Sequence, residues 1–332
     1  DAELELGERL RGPGFANGIA NLHNARRART PIINIIGDNT SSHLPFDAPL
    51  TWDIESLARP VSDWVHRIAS TQEVAAAAVD AVQQSNQAGG QGATLIYPAD
   101  FQADAVPETA TPSSSVLAPA EPTDNYALSR AVERLRAGRK IVFVLGGGGE
   151  LSGLGARAQR ATARLCEALG ASAYAETFPS RSERGQGLPA FDRLPYFPEP
   201  ARAALDPAGL VVLAGALPPV TYFGYEGHHS ALVEPERLLL LGGPGYPVAE
   251  RLEQLADALE APAYSGPQLP LPEQPLGVLT PAKIAAVLAR ELPEGAIVSV
   301  EGGTCGYPFY AASAAAKPHT TLTNTGGAIG QG

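Results

Sequence analysis

Four glycine-rich segments hold the residues whose types and spacing could do chemistry: Gly12-Pro13-Gly14, Gly146–Gly149, Glu301-Gly302-Gly303-Thr304 and Gly326-Gly327-Ala328-Ile329-Gly330. Glycine lets a backbone approach an anion closely, and a helix that starts there offers free N–H groups. Gly146–Gly149 follows the apolar run Ile141–Leu145 and opens a helical pattern, so a dinucleotide site is one reading. Two observations count against it. Ser152 breaks the G-x-G-x-x-G spacing when counting starts at Gly147, and Glu176, the next acidic residue at a strand end, lies beyond the usual interval. A tight turn that brings helix against strand is the plainer reading. At Glu301–Thr304, with the Thr304 hydroxyl as a further donor, a structural turn and an anion site are evenly matched.

Other chemistry finds little support. The six histidines, His23, His43, His66, His228, His229 and His319, show no metal-ligand spacing beyond the adjacent pair. No nucleophile elbow and no Cys–His pairing argue for a hydrolase. Cys166 and Cys305 stand far apart, which fits a reducing, cytoplasmic setting. The net charge of −11 argues against a nucleic-acid surface, and Arg26, Arg27 and Arg29 read as a solvated helix face. No apolar stretch approaches the ~18 residues of a membrane span. The chain contains no methionine, so its N-terminus is expected not to be the natural one.

The elements that would position the glycines alternate. Apolar runs at Ile32–Ile36, Thr94–Tyr97, Ile141–Leu145, Leu210–Leu213, Leu238–Leu241 and Ile297–Val300 end in Gly, Pro or Asp. Such short, continuous runs predict parallel strands buried on both faces. Helical patterns lie between them at Phe15–Arg29, Gln72–Ser85, Leu128–Ala137, Leu154–Leu169, Val248–Leu259 and Pro281–Leu292. The expected fold is α/β, in three-layer parallel-sheet domains. Pro-rich stretches divide it into residues 1–105, a linker at 106–125, a complete middle domain at 126–262, a second linker at 263–277, and residues 278–332. The last part is expected to hold one helix, one strand and a glycine-rich end, too little sheet for a core of its own.

In this order the motifs resemble the thiamine-diphosphate-dependent enzymes of the acetolactate synthase type, relatives of benzoylformate decarboxylase and pyruvate oxidase. Gly12-Pro13-Gly14-Phe15-Ala16-Asn17 is similar to the family's G-P-G-x-x-N segment, and Thr30–Asp38 to the strand that follows it. Residues 126–262 look like the family's Rossmann-like middle domain. Glu301–Thr304 and Asn324–Gly330 look like parts of its diphosphate-binding domain. The resemblance implies a partial pyrimidine-binding domain, a complete middle domain and the start of a diphosphate-binding domain, a fragment lacking both ends.

Family roles follow residue by residue. Asn17 would lie near the pyrimidine end of thiamine diphosphate. Glu301, Gly302, Gly303 and Thr304 would form the diphosphate turn, and the backbone at Gly327 and Ala328 would meet the aminopyrimidine. Ile329 would wedge the cofactor into its bent shape. Asn39 and His43, after a strand end, are candidates for the substrate pocket, although loop capping explains both. The family's catalytic Glu would lie upstream of Gly12 in a context that Glu3, Glu5 and Glu8 do not match, and its Mg²⁺ ligands beyond Gly332. The chain by itself is therefore expected to be inactive. Asp38 stands where better-known members have Gln. The implied activity is carbon–carbon lysis or ligation of 2-oxo acids in a homodimer or homotetramer. FAD in the middle domain is a further candidate cofactor. The rivals are an FAD- or NAD-dependent oxidoreductase built on Gly146–Gly149 and a non-catalytic family member.

Overall fold

A computed structural model describes residues 12–103, 105, 125–137, 139–243, 246–266 and 268–330. Nearly all of the first expected linker, and Glu3, Glu5 and Glu8, fall outside these. Contacts group the chain into two compact units, 1–119 with 325–332, and 120–324.

In the first unit, α1 (Gly12–Ala28), β1 (Ile32–Asp38), α2 (Ile54–Ala58), β2 (Trp64–Arg67), α3 (Val74–Ser85), β3 (Gly92–Pro98) and α4 (Ala99–Ala103) follow in order. The strands form a parallel sheet β1-β3-β2, with Asp38 opposite Pro98 and Arg67 opposite Ile96. One face buries Ile36 and Ile96 against Phe15 of α1 and Ile54 and Ala58 of α2. The other buries Ala93 and Leu95 against Ala77 and Ala81 of α3. Alternate strand residues thus feed two helical layers, which is the three-layer arrangement.

The second unit contains α5 (Asn125–Arg136), β4 (Ile141–Leu145), α6 (Ala156–Leu169), β5 (Ser172–Ala175), β6 (Arg181–Arg184), β7 (Asp192–Arg193) and α7 (Pro198–Leu205). There follow β8 (Leu210–Ala214), β9 (Leu238–Gly242), α8 (Val248–Ala258), α9 (Pro281–Glu291), β10 (Ala296–Val300), α10 (Gly303–Ala312) and β11 (His319–Thr323). Five strands form a parallel sheet β7-β5-β4-β8-β9. Phe143 and Leu145 face α5, α6 and α8, while Val142 and Val144 face α7. Every residue of β4 and β8 is buried, as a parallel sheet covered on both faces requires.

Three of the six apolar runs depart from burial on both faces, and the first is β1, an edge strand only partly buried from Ile32 to Ile35. β9 is an edge strand with Leu240 exposed, and β10 alternates, leaving Ile297 71% exposed. Residues 278–330 hold two helices of ten residues or more and two strands, not one of each. β10 and β11 pair in parallel, and β6 adds to β11 antiparallel, with His319 opposite Arg184. The middle segment therefore donates a strand to the sheet that follows the second Pro-rich stretch. The described residues of that stretch have no regular structure, but Gln186 ties it down by bonding both polar groups of Leu269.

Candidate functional site

The residues expected to contact a cofactor fall in both units, and each group has its own geometry. In the second unit, β10 delivers the chain to Gly302, which caps α10 in an extended conformation with no side-chain cap. Gly302, Gly303, Thr304 and Cys305 are exposed at the first turn of this ten-residue helix. Such a turn presents N–H groups that the helix itself cannot satisfy.

The glycines of this turn have no internal explanation. Neither has a positive φ. A Cβ on Gly302 would meet nothing, and one on Gly303 would touch only the Tyr307 ring at 4.0 Å. Gly306, one turn on, is different, because a Cβ there would come within 2.6 Å of Val300. Gly306 lets the helix lie on its strand, whereas the space in front of Gly302 and Gly303 is open. That open cradle, with the Thr304 hydroxyl exposed beside it, fits a diphosphate.

In the first unit, Gly12 begins α1 with Trp52 directly against it, since an added Cβ would lie 2.4 Å from the Trp52 Cβ. Asn17 is exposed in the second turn of α1. Further along, the Asn24 side chain clips the glycine-rich tail. Its Nδ2 donates to Ala328 O at 2.8 Å, and its Oδ1 accepts from Ala328 N at 3.0 Å. His23 Nε2 lies 3.2 Å from Gly326 O. Gly326 has no room for a side chain against these two residues, while Gly327, at φ 80°, faces open space. Both backbone groups of Ala328 are thus engaged by Asn24. Those of Gly327 and the 81% exposed Ile329 side chain remain at the surface of this unit. Nothing in the sequence marked Asn24, because its partner lies 304 positions away.

Asn39 is buried and used locally, its Nδ2 donating to Thr51 Oγ1 at 3.0 Å and its backbone N–H to Asp38 Oδ1 at 2.8 Å. It pins the loop that follows β1. His43 is exposed on that loop beside Phe46, with ring centroids 5.8 Å apart. The structure does not bring Asn39 and His43 together by any hydrogen bond. The polar centre at this sheet end is Asp38, 2% exposed, which accepts from Arg67 Nη1 at 2.5 Å. Arg67 also donates to Glu55 Oε1 at 3.2 Å. Burial opposes the Arg67 charge, but these two carboxylates outweigh it and hold the guanidinium above its ordinary value. Asp38 was marked only as a departure from Gln; Arg67 and Glu55 were not marked at all.

Among the described residues no group of three or more His, Cys, Asp or Glu side chains could hold a metal ion. None of the described helices is long and apolar enough to cross a membrane. Cys166 and Cys305 are unpaired.

No known family's sequence profile matches the chain. The chain is 40% identical over 328 residues to a protein of Mycobacterium tuberculosis named "putative acetolactate synthase large subunit", covering 97% of this chain and 61% of that protein. It therefore spans about three fifths of that relative's length. A thiamine diphosphate-dependent 4-hydroxybenzoylformate decarboxylase of Rhodococcus jostii matches with a TM-score of 0.75 and 19% identity, over 97% of this chain and 64% of the other. A "putative thiamin diphosphate-dependent enzyme" of Mycobacterium smegmatis gives 0.76 and 23%, with the same coverage of both chains. At such identities these two likenesses speak for the fold. The chain is thus a homologue, along nearly its whole length, of a protein bearing the name of an acetolactate synthase large subunit, and it has the fold of the thiamine diphosphate-dependent enzymes that its motifs resemble.

Proposed function

We propose that the protein carrying this chain is a thiamine diphosphate-dependent enzyme that breaks or joins carbon–carbon bonds of 2-oxo acids. The observation that carries this reading is the exposed turn Gly302–Thr304, whose glycines answer to no internal packing or conformational need. There the first-turn N–H groups of α10 and the Thr304 hydroxyl would hold the diphosphate. By the resemblance, Asn17, the backbone at Gly327 and the Ile329 side chain would serve the ring end, while the backbone of Ala328 is taken up by Asn24. Glu301 leads into the turn, at the end of β10. Bound in that way, thiamine diphosphate supplies the electron sink for decarboxylation. The chain's share is to bind and orient. Asn24 fixes the tail that presents Gly327, and the Asp38–Arg67–Glu55 network stiffens the sheet end from which Asn39 and His43 emerge.

The Mg²⁺ that accompanies such a diphosphate would take its ligands from outside this chain. The reading includes the three-domain assignment at 1–105, 126–262 and 278–332, and assembly as a homodimer or homotetramer. It also includes a cytoplasmic location, supported by the two unpaired cysteines, and no nucleic-acid partner, supported by the charge of −11. The test is calorimetric titration of the full-length protein with thiamine diphosphate and Mg²⁺, followed by assays with pyruvate and benzoylformate. Saturable cofactor binding with turnover of a 2-oxo acid is expected. Failure to bind the cofactor would overturn the reading.

A further inference from the structure

The family resemblance admits FAD in the middle domain, and the five-stranded sheet has the topology for it. From β4 the chain moves outward to β5 and β7, then returns to the other side of β4 as β8. The crevice at such a reversal, at the carboxyl ends of β4 and β8, is where open parallel sheets bind dinucleotides. A pyrophosphate there needs free N–H groups in the turn after β4 and space for its oxygens.

Neither is present. Gly146 N–H donates to Ala214 O at 2.9 Å, Gly147 N–H to Glu176 Oε1 at 2.6 Å, and Gly148 N–H to Arg181 O at 3.1 Å. The space is filled by backbone. Gly215, at φ 73°, folds across the end of β8 so closely that a Cβ on Gly146 would lie 2.0 Å from its carbonyl oxygen. A Cβ on Gly153 would lie 2.2 Å from Ala214 O, and one on Gly147 2.6 Å from Ser180 N. These glycines exist so that protein backbone can touch protein backbone. Glu176 completes the seal. It follows β5, the strand whose end carries the ribose-binding acid in dinucleotide folds. Here its carboxyl turns back to the glycine turn instead.

We propose that the middle domain of this protein carries no flavin or other nucleotide, because its switch-point crevice is closed by its own backbone and Glu176 occupies the Gly147 N–H where a pyrophosphate oxygen would bind. Burial supports that placement, pushing the Glu176 carboxyl up to about 7 even though the Gly147 bond pulls the other way. The inference is independent of the thiamine diphosphate reading and stands or falls separately.

The experiment is a visible absorption spectrum of the purified protein, equilibrium titrations with FAD and with ADP, and hydrogen exchange resolved at the Gly147 amide. The expected results are no flavin absorption, no saturable binding of either probe at millimolar concentration, and a protected Gly147 amide. In Glu176→Ala, folded by circular dichroism, Gly147 should exchange at least tenfold faster. Should that variant not fold, Glu176→Gln, which keeps the acceptor, is expected to leave Gly147 protected and FAD unbound. Stoichiometric flavin in the wild type, saturable micromolar binding of either probe, or an unprotected Gly147 amide in the wild type would overturn the proposal.

Discussion

The turns at Gly146–Gly149 and Gly302–Gly303 look alike in sequence and do opposite things in the fold. Each follows a short apolar strand and precedes a helix. After β4, the first three glycines give their N–H groups to protein oxygens, and an added methyl on Gly146 or Gly147 would collide with backbone. After β10, the helix start is exposed and a methyl would meet open space or one ring edge. A glycine-rich turn therefore says only that something comes close. The neighbours decide whether that something is the protein itself or a ligand.

Substitutions can break this contrast directly. Gly146→Ala should have the largest effect, because its Cβ would overlap the Gly215 carbonyl and neither backbone can yield without opening the sheet end. A loss of about 3 kcal/mol or more is expected, at the upper end for overpacking, read from the urea midpoint. A loss below about 1 kcal/mol, which is the centre for unselected substitutions, would mean that the turn relaxes and the seal is soft.

Glu176→Gln sharpens the same comparison through pH. The folded-state pKa of Glu176 stands above its ordinary value, so protonation favours the fold. That contribution is fully present below pH 4.5 and is lost as pH rises through about 7. The amide cannot ionise but can still accept from Gly147. Wild type should therefore lose stability relative to Glu176→Gln between those pH values, as thermal melts would register. A difference that does not change with pH would show that the carboxyl is not buried in this way.

Asn24→Ala probes the tail in the first unit, where one amide satisfies both polar groups of Ala328. Losing the pair should ease local opening there by about 1–2 kcal/mol, seen as faster exchange of the Ala328 amide with little change in global stability. Equal exchange in the variant would leave the tail without its clip. Gly303→Ala should do least, staying within about 0.5 kcal/mol, because the new methyl is exposed at a helix start. A large loss in the same urea experiment would make Gly303 a structural glycine like Gly146.

Much of this architecture was legible in the sequence, for identifiable reasons. The helices α1, α3, α6, α8 and α9 carry apolar residues at helical spacing, and Thr280-Pro281 announces the start of α9, where the Thr280 hydroxyl accepts from Lys283 N. Buried β4 and β8 are continuous apolar runs. What escaped notice was polar or distant. β6 reads Arg-Ser-Glu-Arg and β11 reads His-Thr-Thr-Leu-Thr, so neither shows an apolar run; β11 is held between β10 and β6, and β6 becomes a strand by pairing with β11 across more than a hundred residues. In the candidate site, the four glycine segments stood out, but their partners did not. Glu176, Gly215 and Asn24 meet them only in the folded chain, and it is these partners that separate a sealed turn from an open one.

Calorimetric titration of thiamine diphosphate with Mg²⁺ into the full-length wild type and its Gly303→Val variant tests the open-turn claim most directly. A branched side chain at Gly303 would occupy the space assigned to the diphosphate, so affinity should fall tenfold or more, about 1.4 kcal/mol, with a normal thermal melt. Unchanged affinity in a normally folded variant would contradict the account, and Gly302 and Gly303 would then be no more than a turn between β10 and α10.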